Sequence, residues 1–141
     1  MLAQIFMVSS AGIILVLGLL HLAYTYDGDK LHPRDNDLLD RMKATSPVIS
    51  RQTSMWKAWV GFNASHSLGA ILFGTIFGYL AVQQPALLFQ SYFLAAAGLS
   101  VLGGYLVMAK LYWFEWPLLG ILLAFLAYVA AFFLAHFHSL A

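Results

Sequence analysis

The clearest pattern in this chain is the separation of long uncharged apolar stretches from short charged ones. Residues 1–26, 58–109 and 116–141 contain no Asp, Glu, Lys or Arg. A helix needs about 20 apolar residues to cross the ~30 Å hydrocarbon core of a bilayer. The first and last stretches each have room for one crossing, and the middle stretch has room for two. We expect the first stretch to remain as a helix, because it lacks the basic residues and the cleavage site of a signal peptide.

The middle stretch is interrupted by Gln83-Gln84-Pro85. Amide side chains are unfavourable in lipid, and a proline ends a helix just before itself. The chain is therefore predicted to be all-α, a single-domain four-helix transmembrane bundle over residues 1–141 with antiparallel up-down-up-down topology. The predicted spans are approximately residues 4–26, 56–82, 86–109 and 117–137.

The first connection, residues 27–55, is long and polar. Asp35, Asn36 and Asp37 are favourable N-cap residues, and apolar residues follow them at helical spacing. This pattern predicts a short amphipathic helix at about residues 37–44, lying at the lipid headgroups. Two interpretations of the loop stay open: a solvated, charge-balanced connector, or a docking surface for a larger partner.

The composition supports a membrane location. Of the 141 residues, 62% are hydrophobic and 9% are charged, whereas a soluble domain has about 25% charged residues. An ordinary soluble enzyme, a disordered tail and a nucleic-acid binder are therefore excluded, and the lipid bilayer is the expected partner. The chain has no cysteine, which excludes disulfides, thiolate metal sites and thiol redox chemistry.

The basic residues predict the orientation. Six of the seven lie in the first loop or at its edge, and Lys110 ends the third span on the same side. Because basic loops remain in the cytoplasm, we expect loop 27–55 to be cytoplasmic and both termini to lie outside the inner membrane of a bacterium.

The second span carries Trp59, Asn63 and His66 along one helical stripe. Polar side chains at membrane depth usually face other helices or a wet cavity. We hypothesise a ligand-binding cleft on the cytoplasmic side, lined by His21, Tyr24, Trp59, Asn63, His66, Lys110 and Glu115. The simpler alternative is that the histidines only hydrogen-bond between helices, Lys110 reaches the headgroups, and Glu115 pairs with Lys57 or Lys110.

Small residues recur at four-residue spacing and predict close helix packing. The second span has two such ridges, and the third span has one. Their members are Gly61, Ser65 and Gly69; Ala70, Gly74 and Gly78; and Ala96, Ser100 and Gly104.

The remaining residues restrict the chemistry. No carboxylate lies deep in a predicted span, so proton-coupled export is not expected. No catalytic residues are predicted. A metal site is not predicted either, because His136 and His138 point to different sides of a helix end.

A b-type haem needs two facing histidines at similar depth. Counting ~1.5 Å per residue places His21 about 8 Å inside Tyr26 and His66 about 15 Å inside Trp56, which disfavours haem. A lipid or quinone pocket is compatible with the residues, and the leading expectation is no cofactor.

One segment carries a resemblance. RMKATSP at residues 41–47, followed by MWKAWVGFNASHSLG at residues 55–69, resembles a family of short, uncharacterised bacterial integral membrane proteins with four spans. The layout is similar along the whole chain, and the specific likeness covers about residues 41–74. The resemblance implies no established reaction or cofactor, but it suggests that the Trp56–Gly69 stretch carries the specific function.

Two functional hypotheses follow. In the first, the protein is a non-catalytic accessory subunit or scaffold that binds other membrane subunits or copies of itself. In the second, it binds a lipid or a quinone, or less favourably a b-type haem, in the cleft around His21 and His66.

Overall fold

The computed structural model describes residues 1–137, with side chains through His136, and this range is helical without strands. The six helices are α1 (Leu2–Tyr26), α2 (Asn36–Ala44), α3 (Met55–Gln83), α4 (Pro85–Gln90), α5 (Tyr92–Tyr112) and α6 (Glu115–Phe137). Four of them, α1, α3, α5 and α6, are long and apolar enough to cross a membrane. The predictions of an all-helical chain and of four such helices are confirmed.

The predicted third span, residues 86–109, differs from the structure. The region forms two helices, α4 and α5, which are separated at Ser91. Ser91 has an extended backbone, and its hydroxyl accepts a hydrogen bond from the Leu94 amide at 3.2 Å. Ser91 is therefore the N-cap of α5, and this shifts the long helix towards the C-terminus, where it ends at Tyr112.

Other helix ends follow local capping chemistry. The carboxylate of Asp35 accepts hydrogen bonds from the Asp37 and Leu38 amides and so caps α2. The Ser54 hydroxyl accepts from the Lys57 amide at 3.3 Å at the beginning of α3. Pro117 lies in the first turn of α6, where it removes no intrahelical hydrogen bond.

The chain divides into two compact units. The core unit comprises residues 1–17 and 70–141, and the loop unit comprises residues 18–69. In the core unit, Phe77 of α3 meets Tyr128 of α6 edge to face with ring centroids 5.7 Å apart. The buried Tyr128 hydroxyl donates to the Leu94 and Ala95 carbonyls at 3.0 and 3.1 Å. This unit is therefore held together by aromatic packing and by side-chain to backbone hydrogen bonds between helices.

Small residues allow close approach inside the core unit. A Cβ added to Gly74 would lie 2.6 Å from the Ala11 carbonyl oxygen and 2.7 Å from the Leu15 Cβ. Ser10 is fully buried, and its hydroxyl donates to the Ala124 carbonyl at 2.7 Å. The second half of α3 and the first half of α1 are thus in near backbone contact.

Candidate functional site

The loop unit brings His21 of α1 together with Asn63 and His66 of α3. The Nε2 atom of His21 lies 2.9 Å from the side-chain oxygen of Asn63. The rings of His21 and His66 meet edge to face, with centroids 5.4 Å apart and planes at 86°. All three side chains are half-buried. We call these three residues the His–Asn cluster.

The hydrogen bonds of Asn63 fix the proton position on His21. The Asn63 amide nitrogen donates to the Trp59 carbonyl oxygen at 2.8 Å, so the amide oxygen faces His21 and acts as an acceptor. His21 therefore donates through Nε2. The neighbouring hydroxyls of Thr25 and Ser67 donate to the backbone carbonyls of His21 and Asn63, each at 2.8 Å.

The contact between His21 and His66 shows that the C-terminal end of α1 and the N-terminal end of α3 do not lie at the same height along the helix axes. His21 lies five residues before the end of α1, and His66 lies eleven residues after the beginning of α3. Because the two rings are in contact, α3 extends about 9 Å beyond α1 at a rise of ~1.5 Å per residue. Counting from the helix ends predicted different depths for these histidines because it assumed that both helices end at the same level, whereas the structure brings the two rings into contact.

Loop residues pack on the additional turns of α3. The Trp59 indole donates from Nε1 to the Leu31 carbonyl oxygen at 3.1 Å. His32 and Trp56 meet edge to face, with centroids 4.9 Å apart. No local sequence pattern predicts the roles of Leu31 and His32, because their partners lie 24 to 28 positions away.

Tyr24 has a different environment from the one hypothesised. The Lys30 ammonium lies 3.8 Å from the centre of the Tyr24 ring. One face of this ring is therefore occupied by a cation of the loop, an arrangement worth about 0.5–1 kcal/mol at exposed sites. Tyr24 acts here as an attachment point for the loop.

Lys110 and Glu115 belong to the core unit. Lys110 lies in the last turn of α5, Glu115 begins α6, and both are exposed. They form no ion pair with each other in the described part of the chain, where the one ion pair joins Lys43 and Asp40 at 3.9 Å within α2. The loop unit thus contains five of the seven hypothesised residues: His21, Tyr24, Trp59, Asn63 and His66.

The His–Asn cluster offers hydrogen bonds without a carboxylate. Within residues 1–136, no three His, Asp or Glu side chains are placed to hold a metal ion. A haem with two axial histidines requires the porphyrin plane between the rings, but the His21 and His66 rings touch each other. The haem alternative therefore does not fit this arrangement. His138, interpreted above with His136, lies outside the described residues.

Comparisons with known proteins leave the resemblance of residues 41–74 as a prediction. No family model, no curated protein and no solved structure matches the chain.

Proposed function

We propose that this protein is a non-catalytic subunit or scaffold of a complex in the bacterial inner membrane. Loop 27–55 lies in the cytoplasm and both termini lie outside, because six of the seven basic residues are in that loop or at its edge. The four long helices cross the membrane in up-down order, and α2 lies at the headgroups. The partners of the protein are other membrane subunits or further copies of the same chain.

The observation that carries this proposal is the contrast between two ridges on α3. Gly74 and Gly78 lie against α1, where Ala11 and Leu15 are their neighbours. The other ridge of α3, formed by Gly61, Ser65 and Gly69, is exposed. A Cβ added to Gly61 would have no atom within 4 Å. This ridge thus has the spacing of a close helix contact, and all three of its residues are exposed in the described part of the chain.

The small-residue ridge on α5 is exposed in the same way as the Gly61 ridge of α3. Ala96, Ser100 and Gly104 are exposed, and a Cβ added to Gly104 would have no atom within 4 Å. Lipid provides no hydrophobic force between helices, so close packing along small residues is a main source of association in membranes. The two exposed ridges are the surfaces through which we expect the chain to bind its partners.

Replacement of exposed glycines tests the proposal, because an added Cβ at these positions meets no neighbouring atom within 4 Å. A Gly61→Leu, Gly104→Leu double variant fills both ridges at positions where an added Cβ would have no atom within 4 Å. After gentle detergent extraction and affinity purification, the wild-type chain should retain a stoichiometric partner or form a homo-oligomer, and the double variant should lose it. A wild-type chain that purifies as a uniform monomer without a partner would refute the proposal.

A second candidate function is the binding of a lipid or quinone headgroup at the His–Asn cluster. The supporting observation is the convergence of two imidazoles and an amide from different helices, each half-buried. Such groups suit the carbonyl or hydroxyl oxygens of an uncharged headgroup.

Native mass spectrometry of the chain purified from membranes tests this second function. A bound amphiphile should be lost in a His66→Ala variant and retained in a His136→Ala variant, since His136 belongs to the other unit. The absence of any bound amphiphile, or its equal retention in both variants, would exclude the function.

A further inference from the structure

Residues 46–54 form a small closed loop between α2 and α3. Its two ends are joined by a hydrogen bond from the Met55 amide to the Thr45 carbonyl oxygen, 2.8 Å long. Inside it, the Ser50 amide donates to the Pro47 carbonyl oxygen at 3.2 Å, and this closes a turn. Compact loops of this kind, with their ends close together, frequently have a function.

The tip of this turn is apolar and fully exposed. The central residues of the turn are Val48 and Ile49, with relative exposures of 109% and 93%. Turns usually place Gly, Asn, Asp or Pro at such positions, since those residues fit the backbone and the solvent. Two large β-branched side chains at the tip therefore indicate a surface that is covered in the working protein.

The charges around the tip point to what covers it. The loop between α1 and α3 is divided: residues 27–40 contain five acidic and two basic side chains, whereas residues 41–57 contain four basic and no acidic ones. The four basic residues are all exposed, and they are Arg41, Lys43, Arg51 and Lys57. An apolar tip in a stretch of chain whose charged side chains are all basic matches the interface of an anionic bilayer, where apolar groups enter the acyl boundary and cations meet phosphates.

The tip is also within reach of the membrane. Met55, which closes the loop, is the first residue of α3, a helix long and apolar enough to cross the bilayer. Val48 lies three residues from Thr45, a span of at most about 11 Å for an extended chain. The headgroup region on each side of the bilayer is about 5–8 Å thick, so a segment of this reach can pass through it.

We propose that the Val48–Ile49 tip inserts into the headgroup and acyl boundary of the bilayer, held there by anionic lipids bound to the surrounding basic residues. The loop then anchors the beginning of α3 and is not a free connector. This inference is independent of how the chain assembles with partners.

Spin labelling of the full chain tests this proposal. The chain contains no cysteine, so an Ile49→Cys variant carries one label, and a Gln52→Cys variant serves as the exposed polar control in the same loop. Both are reconstituted in vesicles of phosphatidylglycerol and phosphatidylcholine. The label at position 49 should be several-fold less accessible to a water-soluble nickel complex than the label at position 52, and more accessible to oxygen. Equal nickel accessibility at the two positions would overturn the proposal.

The role of lipid charge is tested separately. In vesicles of phosphatidylcholine alone, or after Lys43→Gln and Arg51→Gln substitutions, the label at position 49 should become more accessible to nickel. If the nickel accessibility at position 49 stays the same under both conditions, anionic lipids do not hold the tip in the bilayer. Position 49 is exposed, so labelling it is compatible with the fold, and equal helix content of the variants checks this.

Discussion

Gly74 lies so close to Ala11 that a Cβ added to it would be 2.6 Å from the Ala11 carbonyl oxygen. Real Cβ atoms do not approach a backbone atom this closely, so α1 and α3 meet there almost backbone to backbone. The same helix carries Gly61, where an added Cβ would have no atom within 4 Å. One helix therefore contains small residues that pack inside the chain and small residues that face away from it.

The first prediction concerns the internal contact. Gly74→Leu should lower the free energy of unfolding by about 1–3 kcal/mol, as expected for overpacking, because the obstructing atoms belong to the backbone of α1. Titration of the protein in mixed detergent micelles with a denaturing detergent measures the change. Gly12→Leu is the matched control outside the proposed partner ridges, because an added Cβ there would have no atom within 4 Å, and it should change the midpoint much less. Equal effects of the two substitutions would contradict the packing described for α3.

A buried hydroxyl supplies the second prediction. Ser10→Ala removes the hydrogen bond to the Ala124 carbonyl of α6 and should destabilise the chain by about 0.6 kcal/mol, the average for such bonds in membranes. The same unfolding titration detects it. The control is Ser100→Ala, whose hydroxyl is exposed and bonds to Ala96 within its own helix. If the control were as destabilising as Ser10→Ala, the hydrogen bond between Ser10 and Ala124 would not stabilise the chain more than a hydrogen bond within one helix does.

The third prediction concerns the proton on His21. Because Asn63 presents its oxygen to His21, Nε2 of His21 should carry the proton in the neutral ring. Nitrogen NMR of the protein labelled at histidine in bilayers should show a protonated Nε2 for His21. In an Asn63→Ala variant the two tautomers should become more equally populated. An unprotonated Nε2 in the wild-type chain would refute the arrangement of the cluster.

The sequence predicted the long helices well, because charge and hydropathy alone set their limits. The first span was predicted at residues 4–26 and occurs as Leu2–Tyr26, and the second was predicted at 56–82 and occurs as Met55–Gln83. The interruption at Ser91 was missed, since serine is also common inside membrane helices and its role as an N-cap depends on the backbone conformation.

The cluster was predicted only in part. Helical spacing placed Asn63 and His66 within one stripe, but it could not give the level of α1 relative to α3. That level depends on how loop residues such as Leu31 and His32 pack on the first turns of α3. Such contacts between distant positions have no signature in a single sequence.

The fourth prediction tests that packing. Trp59→Phe keeps the aromatic ring but removes the indole donor to the Leu31 carbonyl. Loss of a hydrogen bond worth about 0.5–1.5 kcal/mol should increase local opening of the loop roughly two- to tenfold. Trypsin cleavage after Lys30 and Arg34 should accelerate accordingly in reconstituted protein. Trp116→Phe, at an exposed position of α6, is the control, and equal acceleration in both variants would show that the indole bond does not hold the loop.

The central claim is that the exposed ridges of α3 and α5 bind other membrane helices. The most direct test is the mass, by native mass spectrometry, of the wild-type complex released from membranes and of the Gly61→Leu, Gly104→Leu variant. The proposal predicts a stoichiometric complex or homo-oligomer for the wild-type chain and a folded monomer with the same helix content for the variant. The same complex in both chains, or a monomer in both, would contradict it.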